Sequence, residues 1–155
     1  MHNWNTAVRH GLISGATSSV LSTVTLAALG QKEVGSLCAP TNVISRWIHG
    51  DKAARQSGPS MRYTVPGYLI HHASATFWAI LFERYAGSYL DRKAPAGLLS
   101  ASAATAACAA FADYRLTPRR MRPGYEKHLS TSSLVMVYAS FALGLAAGAA
   151  LIRRR

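Results

Sequence analysis

Acidic residues are scarce: six Asp and Glu stand against 17 Lys and Arg in a chain of 155 residues, for a formal net charge of +11. Charged residues make up 15% of the sequence and hydrophobic residues 50%. A chain this apolar is not a disordered basic tail, which stays unfolded because it has little to bury. Cysteine is almost missing as well. Cys38 and Cys108 show neither paired nor metal-site spacing, so no disulfide is expected. Also absent are a phosphate-binding glycine loop, a nucleophile elbow and a zinc-protease motif, and no catalytic residue is assigned. No basic surface interleaved with aromatics stands out, so nucleic acid is not expected as a partner despite the charge. The length is too short for a transporter built from duplicated bundles.

Charge is missing most tellingly in four long runs that contain no Asp, Glu, Lys or Arg. They are His10 to Gln31, Tyr63 to Phe82, Ala94 to Ala112 and His128 to Ile152, of 22, 20, 19 and 25 residues. A charge at the bilayer centre costs at least about 2.5 kcal/mol, and about 20 residues of helix cross the hydrocarbon. A helix on the surface of a soluble bundle would place a charge on its wet face every turn or so, and these runs place none. The expected fold is all-α: a four-helix transmembrane bundle in one membrane domain, with spans at about residues 10–31, 63–84, 94–113 and 129–152. The first run is longer and richer in hydroxyls than a signal-peptide core, so it is expected to be retained.

The first and third spans are mixed, with serine, threonine, alanine and glycine among the larger residues. Small residues recur every fourth position at Gly11, Gly15 and Ser19, again at Gly97, Ala101, Thr105 and Ala109, and again at Ser140, Gly144 and Gly148. In lipid this spacing lets helix backbones approach closely. Tight internal packing is expected, with a face left for a second copy or a larger membrane complex.

Even spans put both termini on one side and the loops Lys32 to Arg62 and Asp113 to Lys127 on the other. Those loops hold ten Lys and Arg against seven elsewhere, a narrow margin in favour of placing them in the cytoplasm. Arg115, Arg119, Arg120, Arg122 and Lys127 crowd one juxtamembrane segment suited to anionic lipid headgroups. In the first loop, Pro40-Thr41 and Gly50 bracket a short interfacial helix from about Thr41 to His49, with Trp47 at headgroup depth.

Ionisable groups in or near a bilayer are costly and more often carry function. His72, Thr76 and Glu83 share one stripe of the second span, although His72 and Glu83 lie roughly 16 Å apart along it. Span topology brings His71 or His72, His128 and His49 to one face. Imidazole ligates metal ions and haem, so a metal or haem site at these histidines is one expectation, and a histidine hydrogen-bonded to a neighbouring helix another.

The stretches Ala39-Pro40-Thr41-Asn42, Ser45-Arg46-Trp47, His71 through Ala79, Glu83-Arg84 and Leu116-Thr117-Pro118-Arg119-Arg120 resemble small uncharacterised four-span proteobacterial inner-membrane proteins. Some of those carry a sodium:proline symporter label. The resemblance implies a multi-pass protein of the bacterial inner membrane. That symporter fold resembles inverted five-helix repeats, which four spans cannot supply, so no substrate or binding residue is carried over. Three function classes stand: a structural or accessory membrane protein, a small-solute or ion permease along the second-span stripe, and a haem or metal binder.

Overall fold

The computed structural model describes residues 1–92 and 95–154. Among them there is no strand, and four long helices dominate: α1 (Trp4–Val34), α2 (Thr64–Leu90), α3 (Pro95–Phe111) and α4 (Thr131–Arg153). Three stretches are long and apolar enough to cross a membrane: Trp4–Val34, Pro95–Leu116 and Thr131–Arg153. The second expected span forms one continuous helix of 27 residues, yet it is not among those three. Pro66, His71, His72, Glu83 and Arg84 dilute its apolarity. Ala94, which opens the third expected run, lies outside the described residues.

The helices overrun the charge-free runs. α1 begins at Trp4 and carries Arg9, Lys32 and Glu33 near its ends, while α3 continues into a π-helical turn, Ala112–Leu116. Asn3 caps α1, its side-chain oxygen accepting the Thr6 backbone N–H at 2.8 Å.

The chain divides into two compact units. One comprises Met1–Ser22, His72–Ala109 and Tyr138–Arg155. Within it, α1 turns a face of Ala7, Gly11, Ser14, Gly15, Ser18, Ser19 and Ser22 inward, at helical spacing. A Cβ at Gly11 would sit 2.7 Å from Ile80 Cα, and one at Gly15 2.7 Å from Thr76 Cα. Gly144 and Gly148 of α4 abut the backbone of Ser18 and Ser14 in the same way, and the Thr17 hydroxyl donates to the Gly144 carbonyl at 2.8 Å. These glycines are the reason the three helices can approach. Phe82, Phe141, Leu145, Ala106 and Ala109 build the apolar cluster beside them, which draws on α2, α3 and α4.

The other unit comprises Thr23–His71 and Ala110–Val137. Leu26, Leu29, Ile44, Tyr125, Leu129 and Val137 form its core. The helix expected over Thr41 to His49 is instead a run of short helical segments of one or two turns, Ala39–Asn42, Val43–Ser45, Arg46–His49 and Gly50–Arg55. Asn42 explains much of the irregularity. Fully buried, it donates to the Gln56 and Gly58 carbonyls at 3.0 and 2.9 Å and accepts from the Thr64 hydroxyl at 2.6 Å, folding the loop back on itself. Pro40, Val43 and Ile44 are buried with it, whereas Trp47 is 37% exposed and Ile48 61%. Gly67 lies against the Thr41 carbonyl, leaving no room for a side chain. Glu33 reaches the start of α4, where its carboxylate accepts the Ser130 backbone N–H at 2.7 Å and both the Ser130 and Ser133 hydroxyls. An anion at a helix N-terminus satisfies otherwise orphaned donors.

Candidate functional site

The histidines expected to converge each have a partner of their own. His71 Nδ1 lies 2.8 Å from the Tyr125 hydroxyl. Burial first, and then the charge of Asp113, hold the Tyr125 phenol well above its ordinary range, so it stays protonated and paired with the imidazole. The His49 ring packs edge-on against Tyr63 with centroids 5.0 Å apart. His128 is partly buried; burial pushes its imidazole below the usual range, and a hydrogen bond to the Ala54 backbone acts the other way. His72 belongs to the other unit, with Nδ1 3.1 Å from the Ser19 hydroxyl. Among the described residues these four do not assemble three ligand atoms within 4.8 Å of one another. Thr76, on the same stripe as His72, is packed against Gly15, and its buried hydroxyl has no hydrogen-bond partner among the described residues.

The basic segment is largely solvent-facing. Arg115, Arg119 and Arg120 are exposed, and Arg122 folds back to the Thr117 carbonyl at 3.3 Å. Lys127 donates to Asp51 at 3.0 Å, and Arg46 approaches the same carboxylate at 3.3 Å. The hydrogen bond from Lys127 and its charge hold Asp51 below the ordinary carboxylate range.

The one sequence-predicted residue at the heart of a cluster is Glu83. Its side chain has no exposed surface. Arg153 brackets it, with NH2 2.9 Å from Oε2 and NH1 3.3 Å from Oε1, and the Ser14 hydroxyl donates to Oε1 at 3.2 Å. Two imidazoles face the remaining side: His10 Nδ1 lies 3.6 Å from Oε2 and His2 Nδ1 3.9 Å. The two rings meet edge to face, with centroids 5.3 Å apart. His2 Nε2 points the other way, to Asp91 at 2.7 Å, and Arg153 Nε reaches the same carboxylate at 3.0 Å. Partial burial acts against ionisation of Asp91, but the His2 hydrogen bond and the Arg153 charge outweigh it, and the carboxyl stays below its usual range.

Local sequence explains how His2 gets there. The residues ahead of α1 run along the end of α2, where the His2 N–H donates to the Arg84 carbonyl at 3.1 Å and Arg84 NH1 returns a bond to the His2 carbonyl at 2.7 Å. Arg84 also stacks over the Trp4 and Tyr85 rings, and Gly87 leaves space for the His2 imidazole. Sequence reading missed His2, His10 and Arg153 as partners of Glu83, and Asp91 as the second carboxylate on His2 and Arg153. In the sequence His10 only opens a charge-free run, and no spacing rule links positions 2, 10, 83 and 153. Among the described residues, His2, His10 and Glu83 are the group of three metal-ligating side chains whose ligand atoms lie within 4.8 Å of one another.

No family model, curated protein or solved structure matches the chain.

Proposed function

We propose that the chain is a multi-pass integral membrane protein, with α1 to α4 as its four spans, that serves as a structural or complex-forming component of the bacterial inner membrane. The observation that carries the reading is large apolar surface on the outside of helices whose interior holds many hydroxyls. The buried positions include Ser14, Ser18, Ser19, Ser22, Ser102 and Glu83, while Leu12, Val20, Val24, Leu99, Val135 and Leu143 lie on the outside, each at least half exposed. Water would penalise that arrangement, because it leaves large apolar surface wet and spends the interior on hydroxyls. A bilayer favours it: apolar groups face lipid, and serines bond to helix carbonyls, as Ser18 does to Gly15 and Ser22 to Ser18.

The complex-forming role draws on α3. In the apolar 18-residue window of Pro95–Leu116, 17% is buried, against 39% in that of Trp4–Val34 and 44% in that of Thr131–Arg153. Its open side is small, with Ala96, Ser100, Ala103, Ala104 and Ala107 exposed. Such a face suits another membrane helix better than lipid tails. Exposed Arg115, Arg119 and Arg120 suit anionic headgroups, at roughly 1 kcal/mol each. The short turns around Trp47 and Ile48 suit the interface, where their exposed apolar groups would meet the acyl boundary.

The test is fractionation followed by native purification. The protein is expected to stay in the membrane pellet through an alkaline carbonate wash, to need detergent for release, and to elute with stoichiometric companions or as an oligomer. Recovery as a dispersed folded protein without detergent would overturn the membrane reading. A lone monomer in mild detergent would overturn the complex-forming role.

A further inference from the structure

We infer that His2 Nδ1, His10 Nδ1 and Glu83 Oε2 form a binding site for a divalent first-row transition cation, with zinc as the reference ion.

The inference begins with what each atom can donate. Ionised Asp91 can only accept a hydrogen bond, so the proton of a neutral His2 lies on Nε2, 2.7 Å away, and Nδ1 carries a lone pair. That lone pair faces Glu83 Oε2, which is itself an acceptor. The His2 side chain is only 10% exposed, and its Nδ1 has no hydrogen-bond partner among the described residues; neither does His10 Nδ1. A carboxylate offers about four acceptor positions. Ser14 and Arg153 use three of those on Glu83, and the remaining one is on Oε2, the atom nearest both imidazoles. With the His10 proton likewise on Nε2, electron-rich atoms from three residues meet with no proton donor between them, an arrangement that a cation would satisfy.

The spacing agrees. Ligand atoms bound about 2.0 to 2.2 Å from zinc at tetrahedral angles lie about 3.4 Å apart. The two nitrogens stand 3.6 and 3.9 Å from Oε2, and all three ligand atoms lie within 4.8 Å of one another, so the side chains need only draw together to close the site. Asp91 completes the pattern in which a carboxylate fixes the tautomer of a metal-bound histidine through its other ring nitrogen. Two nitrogen donors and one oxygen select zinc, iron(II), cobalt(II), nickel(II) or copper(II) over magnesium and calcium, which prefer all-oxygen sets. Three protein ligands leave a coordination position for water or another ligand. The opposing charge of Arg153 is offset by Glu83 and Asp91 together. The site uses none of the exposed face of α3 and stands whether or not that face has a partner.

The test uses the tag-free full-length chain, stripped with a chelator and titrated with zinc and, separately, with cobalt(II). One zinc per chain is expected, with the visible bands of a low-coordinate cobalt site. His10→Ala is the informative variant, because it removes a ligand and leaves the Glu83–Arg153 pair in place; it should weaken zinc binding by about tenfold or more. His2→Ala should do the same, and Asp91→Asn should lower affinity about 10- to 100-fold through the lost orientation of His2. His71→Ala and His128→Ala should leave both titrations unchanged. A thermal unfolding midpoint for each variant checks that it remains folded. Binding well below one equivalent, or full-strength binding in folded His10→Ala and His2→Ala proteins, overturns the inference.

Discussion

Glu83 and Arg153 form a largely buried ion pair, and because Arg153 also reaches Asp91 at 3.0 Å, it is Glu83 that the loss of its partner would strand. Removing one member of such a pair strands the other, at a typical cost of about 3 to 5 kcal/mol. Arg153→Ala is therefore expected to lower stability by about that much in a detergent unfolding titration, and Glu83→Gln combined with Arg153→Met to recover a large part of the loss. A loss in the double variant equal to the sum of the two single losses would show that the pair is not coupled. The folded-state pKa of His128 lies below 6.5, so as pH falls through 6.5 the unfolded chain binds the proton first and the folded state loses stability. Asp51 is depressed below 3.8, so its stabilising pairs with Lys127 and Arg46 persist to lower pH and fade only as pH falls through its folded value. Amide exchange near Ala53, Ala54 and Tyr125, corrected for intrinsic rates, should thus quicken between about pH 7 and pH 5, and His128→Gln should flatten that change. These residue-scale features were the least legible in the sequence, because each depends on a partner tens of positions away.

Helices were far more legible than side-chain partners. Runs without charge located all four long helices, since a bilayer-length gap between charges is a local property of the chain. Their ends were less well marked. Arg9, Lys32 and Glu33 ride on α1 because charges near a helix end can bond or reach outward, as Glu33 does to the start of α4. The four-residue repeat of small side chains also gave a sound guide to packing: Gly11, Gly15, Gly144 and Gly148 all sit where another backbone passes. Gly148→Val would drive a side chain into Ser14, with a Cβ already 2.5 Å from its Cα. Overpacking of this kind costs about 1 to 3 kcal/mol or more, and a matching fall in the detergent unfolding midpoint is expected. The short interfacial helix was less legible, because Pro40 and Gly50 mark a start and a stop while the bonds of Asn42, which reach 14 and 16 positions onward, set the turns between them. On α3, Ala103→Leu with Ala107→Leu should leave the unfolding free energy within about 0.5 kcal/mol of the parent, since both positions are exposed, and should weaken any association through that face.

For the molecule as a whole, the proposed four spans make a demand that the separate helices do not: residues in the first long loop and residues after α2 must lie on opposite sides of the bilayer. In a background lacking Cys38 and Cys108, Ser57→Cys and Arg92→Cys place single thiols at two exposed positions. A membrane-impermeant maleimide applied to sealed, uniformly oriented vesicles should label one and spare the other. Equal labelling of both would remove the four-span topology. The native thiols offer something further. Cys38 is half-buried, whereas Cys108 is free and exposed on the same side of α3 as Ala104 and Ser100. Should a twin molecule press against that side, mild oxidation would weld the two chains at one sulfur each, and a non-reducing gel would show twice the mass. A companion of another kind would leave the chain at its own size, so the protein already contains a reporter of whether it keeps company with itself.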